Sequence, residues 1–145
     1  MTKTASHVEK RCIALNIRMT EQRRVIARVL SQSSDHPDVE EVHRRSVILD
    51  SRISISTVYR TMRIFEEAGI VERHDFGDNR ARYEEAPKKH HDHLIDVRSG
   101  KVIEFQNDDI EELQKQVALE HGYRLISHKL ELYAVPIKND VDTDL

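Results

Sequence analysis

Apolar residues recur at helical spacing through the first third of the chain. This period predicts helices over residues 6–16, 21–30 and 38–49. Thr20 is a residue type favoured at a helix N-cap, and the polar segment 31–37 interrupts the pattern. We therefore expect three short helices, each burying one face.

A fourth helix is predicted between Ser54 and Gly69. Ser54 can cap its start, and Gly69 can end it in the left-handed conformation. Its apolar residues follow the i, i+3, i+7, i+10 spacing of a packed helix: Ile55, Val58, Met62 and Phe65.

After the fourth helix the period changes from helical to extended. Residues 70–74 and 81–84 predict two short strands, and the Gly-Asp-Asn segment at 77–79 suits the tight turn between them. Helices followed by a β-hairpin are typical of a winged helix-turn-helix. We assign this DNA-binding domain to residues 1–85.

The rest of the chain predicts a second, smaller domain. Residues 86–89 contain a proline but no glycine and predict a stiff hinge. An α/β dimerisation and metal-binding domain is expected over 90–138, followed by an acidic tail at 139–145. Its elements are expected to be strand 90–97, strand 101–105, helix 108–121 and strand 124–135. The predicted fold class is therefore α+β, and so small a sheet predicts a homodimer in which a second copy covers it.

Composition and charge narrow the class of protein. Residues 1–83 hold 15 Lys or Arg against 12 Asp or Glu, whereas residues 84–145 hold 8 against 14, so the halves carry +3 and −6. This asymmetry indicates different partners for the two halves. Cys12 is the only cysteine, which excludes a disulfide within the chain, and the pattern Val8, Cys12, Leu15 predicts that it is buried. No long apolar segment is present, so we expect a soluble cytoplasmic protein without a membrane partner.

The fourth helix carries polar residues where a recognition helix would contact double-stranded DNA. An arginine can bind guanine through two hydrogen bonds, and a tyrosine can pack on a thymine methyl group. The candidates on this helix are Ser56, Thr57, Tyr59, Arg60 and Arg63. Further candidate contacts, mainly to phosphates, are Arg18, Thr20, Arg23, Arg24, Arg80 and Arg82. The alternative is that these arginines are ordinary solvated side chains.

Four potential metal ligands are consecutive at His90-His91-Asp92-His93. Side chains alternate across a strand, so His91 and His93 share one face while His90 and Asp92 share the other. Imidazole and carboxylate ligands suit iron(II), manganese(II) or zinc(II). Candidate partners are His36, Glu84 and Glu104 for the first face, and Glu111 and His128 for the second. The alternative is a surface run of polar residues.

Longer motifs carry a family resemblance. They are Met19-Thr20-Glu21-Gln22-Arg23, Ser56-Thr57-Val58-Tyr59-Arg60-Thr61, Arg73-His74, His90-His91-Asp92-His93-Leu94-Ile95 and Gly100-Lys101-Val102-Ile103-Glu104-Phe105. With these motifs the chain resembles the ferric uptake regulator (Fur) family over almost its whole length. The resemblance implies a dimeric repressor of metal-uptake genes that binds palindromic operators with Fe2+ or Mn2+ as co-repressor. It implies a regulatory inter-domain site from His36, Glu84, His91, His93 and Glu104, and a second site from His90, Asp92, Glu111 and His128.

One departure from the family pattern concerns structural zinc. Many members hold it with two Cys-x-x-Cys pairs, but Asp96 and Ser99 stand at the first pair's places and no cysteine is present for the second. We therefore expect no cysteine-based structural zinc, and the resemblance is to the cysteine-poor Fur branch that includes the manganese-responsive Mur proteins. Zn2+ is still expected to bind in vitro, because it lies above Fe2+ and Mn2+ in the Irving–Williams order.

Two other classes of function are alternatives to a metal-dependent repressor. A metallohydrolase could use the same histidines and carboxylates, but a DNA-reading domain would then be unexplained. We expect no enzyme activity. A metal-independent repressor is the other alternative, and its DNA binding would ignore chelators.

His74, in the wing, is expected at the surface, where it could meet a phosphate.

Overall fold

Four helices and a β-hairpin form the first of two units in the chain. A computed structural model describes residues 4–87 and 89–137. The chain divides into Met1–Ala86, here called the winged-helix unit, and Pro87–Leu145, here called the sheet unit. The acidic tail expected at 139–145 and Lys88 of the expected hinge lie outside the described residues. The elements of the first unit are α1 (His7–Ala14), α2 (Glu21–Gln32), α3 (Val39–Leu49), α4 (Ile55–Glu67), β1 (Val71–Asp75) and β2 (Ala81–Glu85).

The helix boundaries follow from the capping residues. The Thr20 side chain accepts from the backbone N–H of Arg23, and the Ser54 side chain accepts from that of Thr57. Gly69 has φ 75°, the left-handed conformation that glycine adopts without strain, and α4 ends just before it. The expected N-caps of α2 and α4 and the stop after α4 are therefore confirmed.

One apolar core joins all four helices and the hairpin of the winged-helix unit. Its buried residues include Val8, Cys12, Ile26, Val29, Leu30, Val42, Ile53, Val58, Met62, Phe65, Ile70 and Val71. The expected burial of Cys12 is confirmed. Ile55, expected on the packed face of α4, is exposed at the first residue of that helix, so this part of the expectation was wrong. Thr61, a polar residue of α4, is buried.

The wing is an antiparallel hairpin whose second strand is tied to the loop before α3. The register pairs Glu72 with Glu84 and Arg73 with Tyr83. The backbone N–H of Tyr83 donates to the carbonyl of Pro37 at 2.9 Å. This bond fixes the 31–37 loop, which contains His36, against β2.

The sheet unit holds β3 (Asp92–Asp96), β4 (Val102–Phe105), α5 (Asp108–Glu120) and β5 (Glu131–Ala134) in the order β4-β3-β5. The β3 and β4 strands are antiparallel, and β5 pairs parallel to β3 after the α5 crossover. The mixed helix and strand content confirms the α+β class. Two strands are shorter than expected: β3 begins at Asp92 rather than at 90, and only 131–134 of the expected 124–135 strand is paired.

The sheet unit buries little apolar surface. Among its described residues, Ile95 is the one buried hydrophobic side chain, and α5 buries none. Its exposed apolar residues include Ile103, Leu113, Val117, Leu119, Ile126, Leu132 and Tyr133. An exposed apolar surface of this extent is typical of an interface.

Hydrogen bonds, in place of thiolates, organise the turn between β3 and β4. The Asp96 carboxylate accepts from the backbone N–H of Arg98 at 2.9 Å and from the Ser99 hydroxyl at 2.8 Å. The Ser99 bond holds the pKa of Asp96 below its usual range. Asp96 and Ser99 thus form a turn that is held by hydrogen bonds among its own residues.

Within residues 4–87 and 89–137, no helix has the length and apolar content needed to cross a bilayer.

Candidate metal centres and nucleic-acid interface

Two imidazoles and a carboxylate converge at one point of the sheet unit. The Nε2 atom of His90 lies 2.9 Å from Nε2 of His128 and 2.9 Å from Oδ1 of Asp92. His128 Nε2 is also 3.1 Å from the same Asp92 oxygen. One carboxylate oxygen of Glu111 completes a group whose ligand atoms all lie within 4.8 Å of one another. All four residues expected at the second site are therefore brought together.

Asp92 tests whether a cation fits this cluster. Its side chain is 1% exposed, and its Oδ2 atom has no hydrogen-bond partner among the described residues. A buried carboxylate is costly unless its charge is compensated. A divalent cation would compensate it, and nitrogen and oxygen donors suit Mn2+, Fe2+ and Zn2+. The cluster therefore fits a metal ion.

The other face of the same segment carries His91, His93 and Glu104. The His91 and His93 rings meet edge to face with centroids 4.9 Å apart. His93 and Glu104 are direct partners across β3 and β4, and His91 Nε2 lies 3.4 Å from a Glu104 oxygen. The alternation expected for a strand holds although His90 and His91 precede β3.

The winged-helix unit brings His36 and Glu84 together. His36 Nε2 lies 3.0 Å from Oε2 of Glu84, and both side chains are buried. The Arg82 guanidinium donates to the His36 carbonyl and to Asp78, which anchors the loop that carries the imidazole. The backbone bond from Tyr83 to Pro37 and the Arg82 bond to the His36 carbonyl therefore both hold the His36 loop against β2.

His74 is a polar residue whose environment was not anticipated. It is buried, not exposed, and its Nε2 lies 2.8 Å from Oε1 of Glu84. The expectation of a surface histidine was wrong, because His74 faces Glu84 on the same side of the hairpin. Glu72 and His74 are two residues apart on a strand, so their side chains share one face. This spacing could have predicted that His74 lies among carboxylates.

Helix α4, the expected recognition helix, presents basic and aromatic side chains to solvent. Tyr59 is 56% exposed, and Arg60 and Arg63 are exposed beside it. An open groove between α4 and the hairpin is lined by three arginines, two tyrosines, one serine and one glutamate: Arg60, Arg63, Arg73, Tyr59, Tyr83, Ser56 and Glu66. Such a set of cationic and aromatic groups suits a nucleic acid backbone and its bases.

Arg73 is a groove residue that the sequence reasoning did not select. It is exposed and is the cross-strand partner of Tyr83. Burial raises the pKa of Tyr83, and the charge of the nearby Arg73 guanidinium acts in the opposite direction. Both side chains line the groove beside α4. The strand alternation in β1 could have identified Arg73.

The remaining candidate DNA contacts differ in exposure and in the partners that they already have. Ser56 is exposed, whereas Thr57 is half-buried and its hydroxyl lies 3.0 Å from that of Ser54. The Arg23 guanidinium donates to the Arg18 carbonyl at 2.8 Å. Arg80 forms ion pairs with Asp38 and Asp78, both close to 3 Å. Arg82 is 5% exposed. The expectation that Arg82 reaches a phosphate was wrong, because its guanidinium is committed to the His36 loop.

Comparison with known proteins places these features in a family. The model of the ferric uptake regulator family matches residues 14–133. The chain belongs to the ferric uptake regulator family. Its members are metal-responsive transcription regulators that bind DNA as dimers, and the family expected from the sequence motifs is confirmed.

Individual relatives agree along nearly the whole chain. The ferric uptake regulation protein of Rhizobium leguminosarum bv. viciae is 60% identical over 140 residues, covering 97% of this chain and 99% of the relative. The protein of the same name from Escherichia coli K12 is 38% identical over 129 residues, covering 88% and 87%.

Solved structures of Fur-family proteins share the fold. A zinc-bound manganese uptake regulator is 61% identical, with a TM-score of 0.78, and covers 90% of this chain and 98% of its own. The Helicobacter pylori Fur, described with three functional metal-binding sites, is 29% identical, with a TM-score of 0.80, and covers 93% and 95%. The fold therefore matches an N-terminal DNA-binding domain followed by a C-terminal dimerisation domain.

Proposed function

We propose that this chain is a dimeric repressor that binds palindromic operators of metal-uptake genes in the bacterial cytoplasm when Fe2+ or Mn2+ is bound. The observation that supports the proposal is that each of the two units brings together part of the ligand set that the resemblance implies. The winged-helix unit supplies His36 and Glu84 as a buried pair, and the sheet unit supplies His91, His93 and Glu104. Both units contribute side chains of types that bind metal ions, and neither unit alone contains all five ligands.

In the proposed regulatory step, a bound ion restricts motion at the hinge between the two units. A divalent ion held by His36 and Glu84 together with His91, His93 and Glu104 would fix each winged-helix unit against the sheet unit. Bound metal supplies an electrostatic cross-link between the halves. Without the ion the two units of each subunit sample several orientations. To shift a population from 1:99 to 99:1, the ion must favour the closed state by about 5.5 kcal/mol.

The exposed apolar surface of the sheet unit supports the proposed dimer. Apolar residues on α5 and the sheet, among them Leu113, Val117 and Leu132, are exposed in a single chain. A second copy packed there by two-fold symmetry would bury them. Two recognition helices related by that symmetry would match the half-sites of a palindromic duplex. Arg60 and Tyr59 are the proposed base-reading residues, and Arg23 and Arg80 the proposed phosphate contacts.

The second site has a different role, since all of its ligands lie within the sheet unit. An ion held by His90, Asp92, Glu111 and His128 would cross-link β3, α5 and the segment before β5. It would compensate the buried Asp92 carboxylate and stabilise the surface that dimerises. Its effect on DNA binding would act through the dimer.

The donor set limits the choice of metal. With imidazole and carboxylate ligands and no thiolate, the sites suit Fe2+ or Mn2+. The relatives' names point both ways, since one similar structure is called a manganese uptake regulator and the curated relatives are called ferric uptake regulation proteins. Zn2+ is expected to bind more tightly in vitro than either ion.

The proposal is tested by metal-dependent DNA selection. Random duplexes are selected on the full chain with Mn2+, with anaerobic Fe2+ or with Zn2+, and binding of the enriched sequence is then measured with and without chelator. We expect a palindrome whose binding is lost with chelator and in His93→Ala. The exposed His121→Ala in the same unit is the matched control and should retain binding. Binding that ignores chelator would support a metal-independent repressor instead.

A further inference from the structure

Three metal-binding side chains meet on one face of the wing hairpin. Glu72 and Glu84 are directly opposed across β1 and β2, and His74 follows Glu72 on the same face. His74 Nε2 lies 2.8 Å from Oε1 of Glu84 and 3.5 Å from Oε2 of Glu72. One ligand atom from each residue lies within 4.8 Å of the other two.

The charge arrangement at this point favours a bound cation. Like charges in directly opposed positions of an antiparallel pair destabilise the hairpin. Here one of the two carboxylates, Glu84, is also buried. A divalent ion between Glu72 and Glu84 would neutralise both carboxylates and turn the repulsion into attraction.

The imidazole is held in an orientation suited to coordination. The Phe76 ring stacks on His74 with centroids 5.2 Å apart and planes 16° apart. This packing directs Nε2 at the two carboxylates. The Glu72 side chain is 48% exposed, so an ion can enter from solvent. Ordered ligands with one accessible side are the features of a site that loads from solution.

Glu84 can serve this site without leaving its other partner. Its Oε1 atom faces His74, whereas its Oε2 atom faces His36. We propose that the winged-helix unit binds a divalent cation of the Mn2+, Fe2+ or Zn2+ class through Glu72, His74 and Oε1 of Glu84. This site is additional to the two metal sites proposed above. It shares the Glu84 side chain with the proposed regulatory site but uses its other oxygen, and all three of its ligands belong to one unit.

The test counts ions and observes His74 directly in the full-length chain. Equilibrium dialysis against Mn2+, followed by elemental analysis, gives the ions bound per chain. Glu72→Gln keeps the size of an exposed side chain and should bind one equivalent fewer than the wild type. Glu40→Gln, an exposed glutamate on α3, is the matched control and should bind the wild-type number. In a Zn2+ titration followed by nitrogen-15 NMR, the His74 Nε2 resonance should shift in the wild type and not in Glu72→Gln.

Failure of this inference is distinguishable from failure of the proposed repressor. Equal ion counts for the wild type and Glu72→Gln, or an unmoved His74 resonance in the wild type, would overturn the inference. The His74 shift should persist in His93→Ala. Its loss there would assign the ion to the regulatory site and likewise overturn the inference. DNA binding that ignores chelator, with the Glu72-dependent ion still present, would instead reject the proposed repressor alone.

Discussion

The Nε2 atom of His36 lies 3.0 Å from Oε2 of Glu84 and joins the loop before α3 to the second strand of the wing. These residues are far apart in sequence, and the backbone bond from Tyr83 to Pro37 brings their segments together. The pair places half of the proposed regulatory ligand set within the winged-helix unit. The first prediction concerns its carboxylate.

Replacing Glu84 by Gln should weaken Mn2+ binding by at least about 10-fold, because a neutral amide replaces an anionic ligand. Metal competition with a chromophoric chelator measures the affinity. Glu40→Gln should leave the affinity unchanged. A Glu84→Gln protein with wild-type affinity would remove this carboxylate from the ligand set.

The second site should couple metal binding to stability. At an ion concentration 100-fold above Kd, one bound ion raises the free energy of unfolding by roughly 2.7 kcal/mol. In His128→Ala this increment should shrink, since His128 Nε2 is within 3.1 Å of Asp92 Oδ1. Urea unfolding with and without Mn2+ measures the increment, with His121→Ala as control. An undiminished increment in His128→Ala would argue against a metal at this cluster.

Substitutions on the DNA-binding surface should separate sequence reading from general affinity. Arg60→Ala should relax base preference at one position, a loss of about 1–3 kcal/mol of discrimination. Arg23→Ala should weaken all duplexes alike and reduce the salt dependence of binding by about one phosphate contact. Selection profiles and salt titrations measure the two effects. Identical profiles for both variants would contradict this division.

Arg73 should act with the recognition helix although it lies on the wing. Arg73 lines the same groove as Arg60, Arg63 and Tyr83. Arg73→Ala should therefore lower DNA affinity, whereas Tyr83→Phe, which removes only the hydroxyl, should have a smaller effect in the same direction. Fluorescence anisotropy with a labelled duplex measures both. Full affinity in Arg73→Ala would exclude a DNA contact there.

The buried thiol should be unreactive in the native protein. Burial, assisted by Glu9, raises the pKa of Cys12 from 9.0 to about 11. The unfolded chain therefore loses its thiol proton first as the pH rises, and the stability contributed by Cys12 is complete below pH 9 and declines toward pH 11. Alkylation at pH 8 should be slow in the native protein and fast in urea. Rapid native alkylation would show that Cys12 is not enclosed in the core.

Local patterns were sufficient to predict most of the elements and half of one metal-binding cluster. The caps at Thr20 and Ser54 and the stop at Gly69 depend on neighbouring residues alone, so they could be read from the sequence. The His90 and Asp92 face could be derived from strand alternation, but its partners Glu111 and His128 required the family resemblance. Distances between residues that are remote in sequence depend on tertiary packing. Neither the amino-acid composition nor the period of the hydrophobic pattern reveals that packing.

The errors have the same physical origin. His74 and Arg82 were expected at the surface because both are polar. Burial is decided by partners that tertiary structure supplies, which are Glu84 for the imidazole and the His36 carbonyl for the guanidinium. The expected long final strand failed for a related reason, since only residues 131–134 find a strand to pair with.

The central claim is that an ion held between the winged-helix and sheet units couples metal binding to DNA binding. Thermodynamic linkage requires the coupling to be reciprocal. The decisive measurement is the Mn2+ affinity of the full chain, alone and with a saturating amount of its selected duplex. The account predicts that the duplex tightens Mn2+ binding by the same factor by which Mn2+ tightens duplex binding, and that His93→Ala abolishes both effects. Equal Mn2+ affinity with and without the duplex would contradict it.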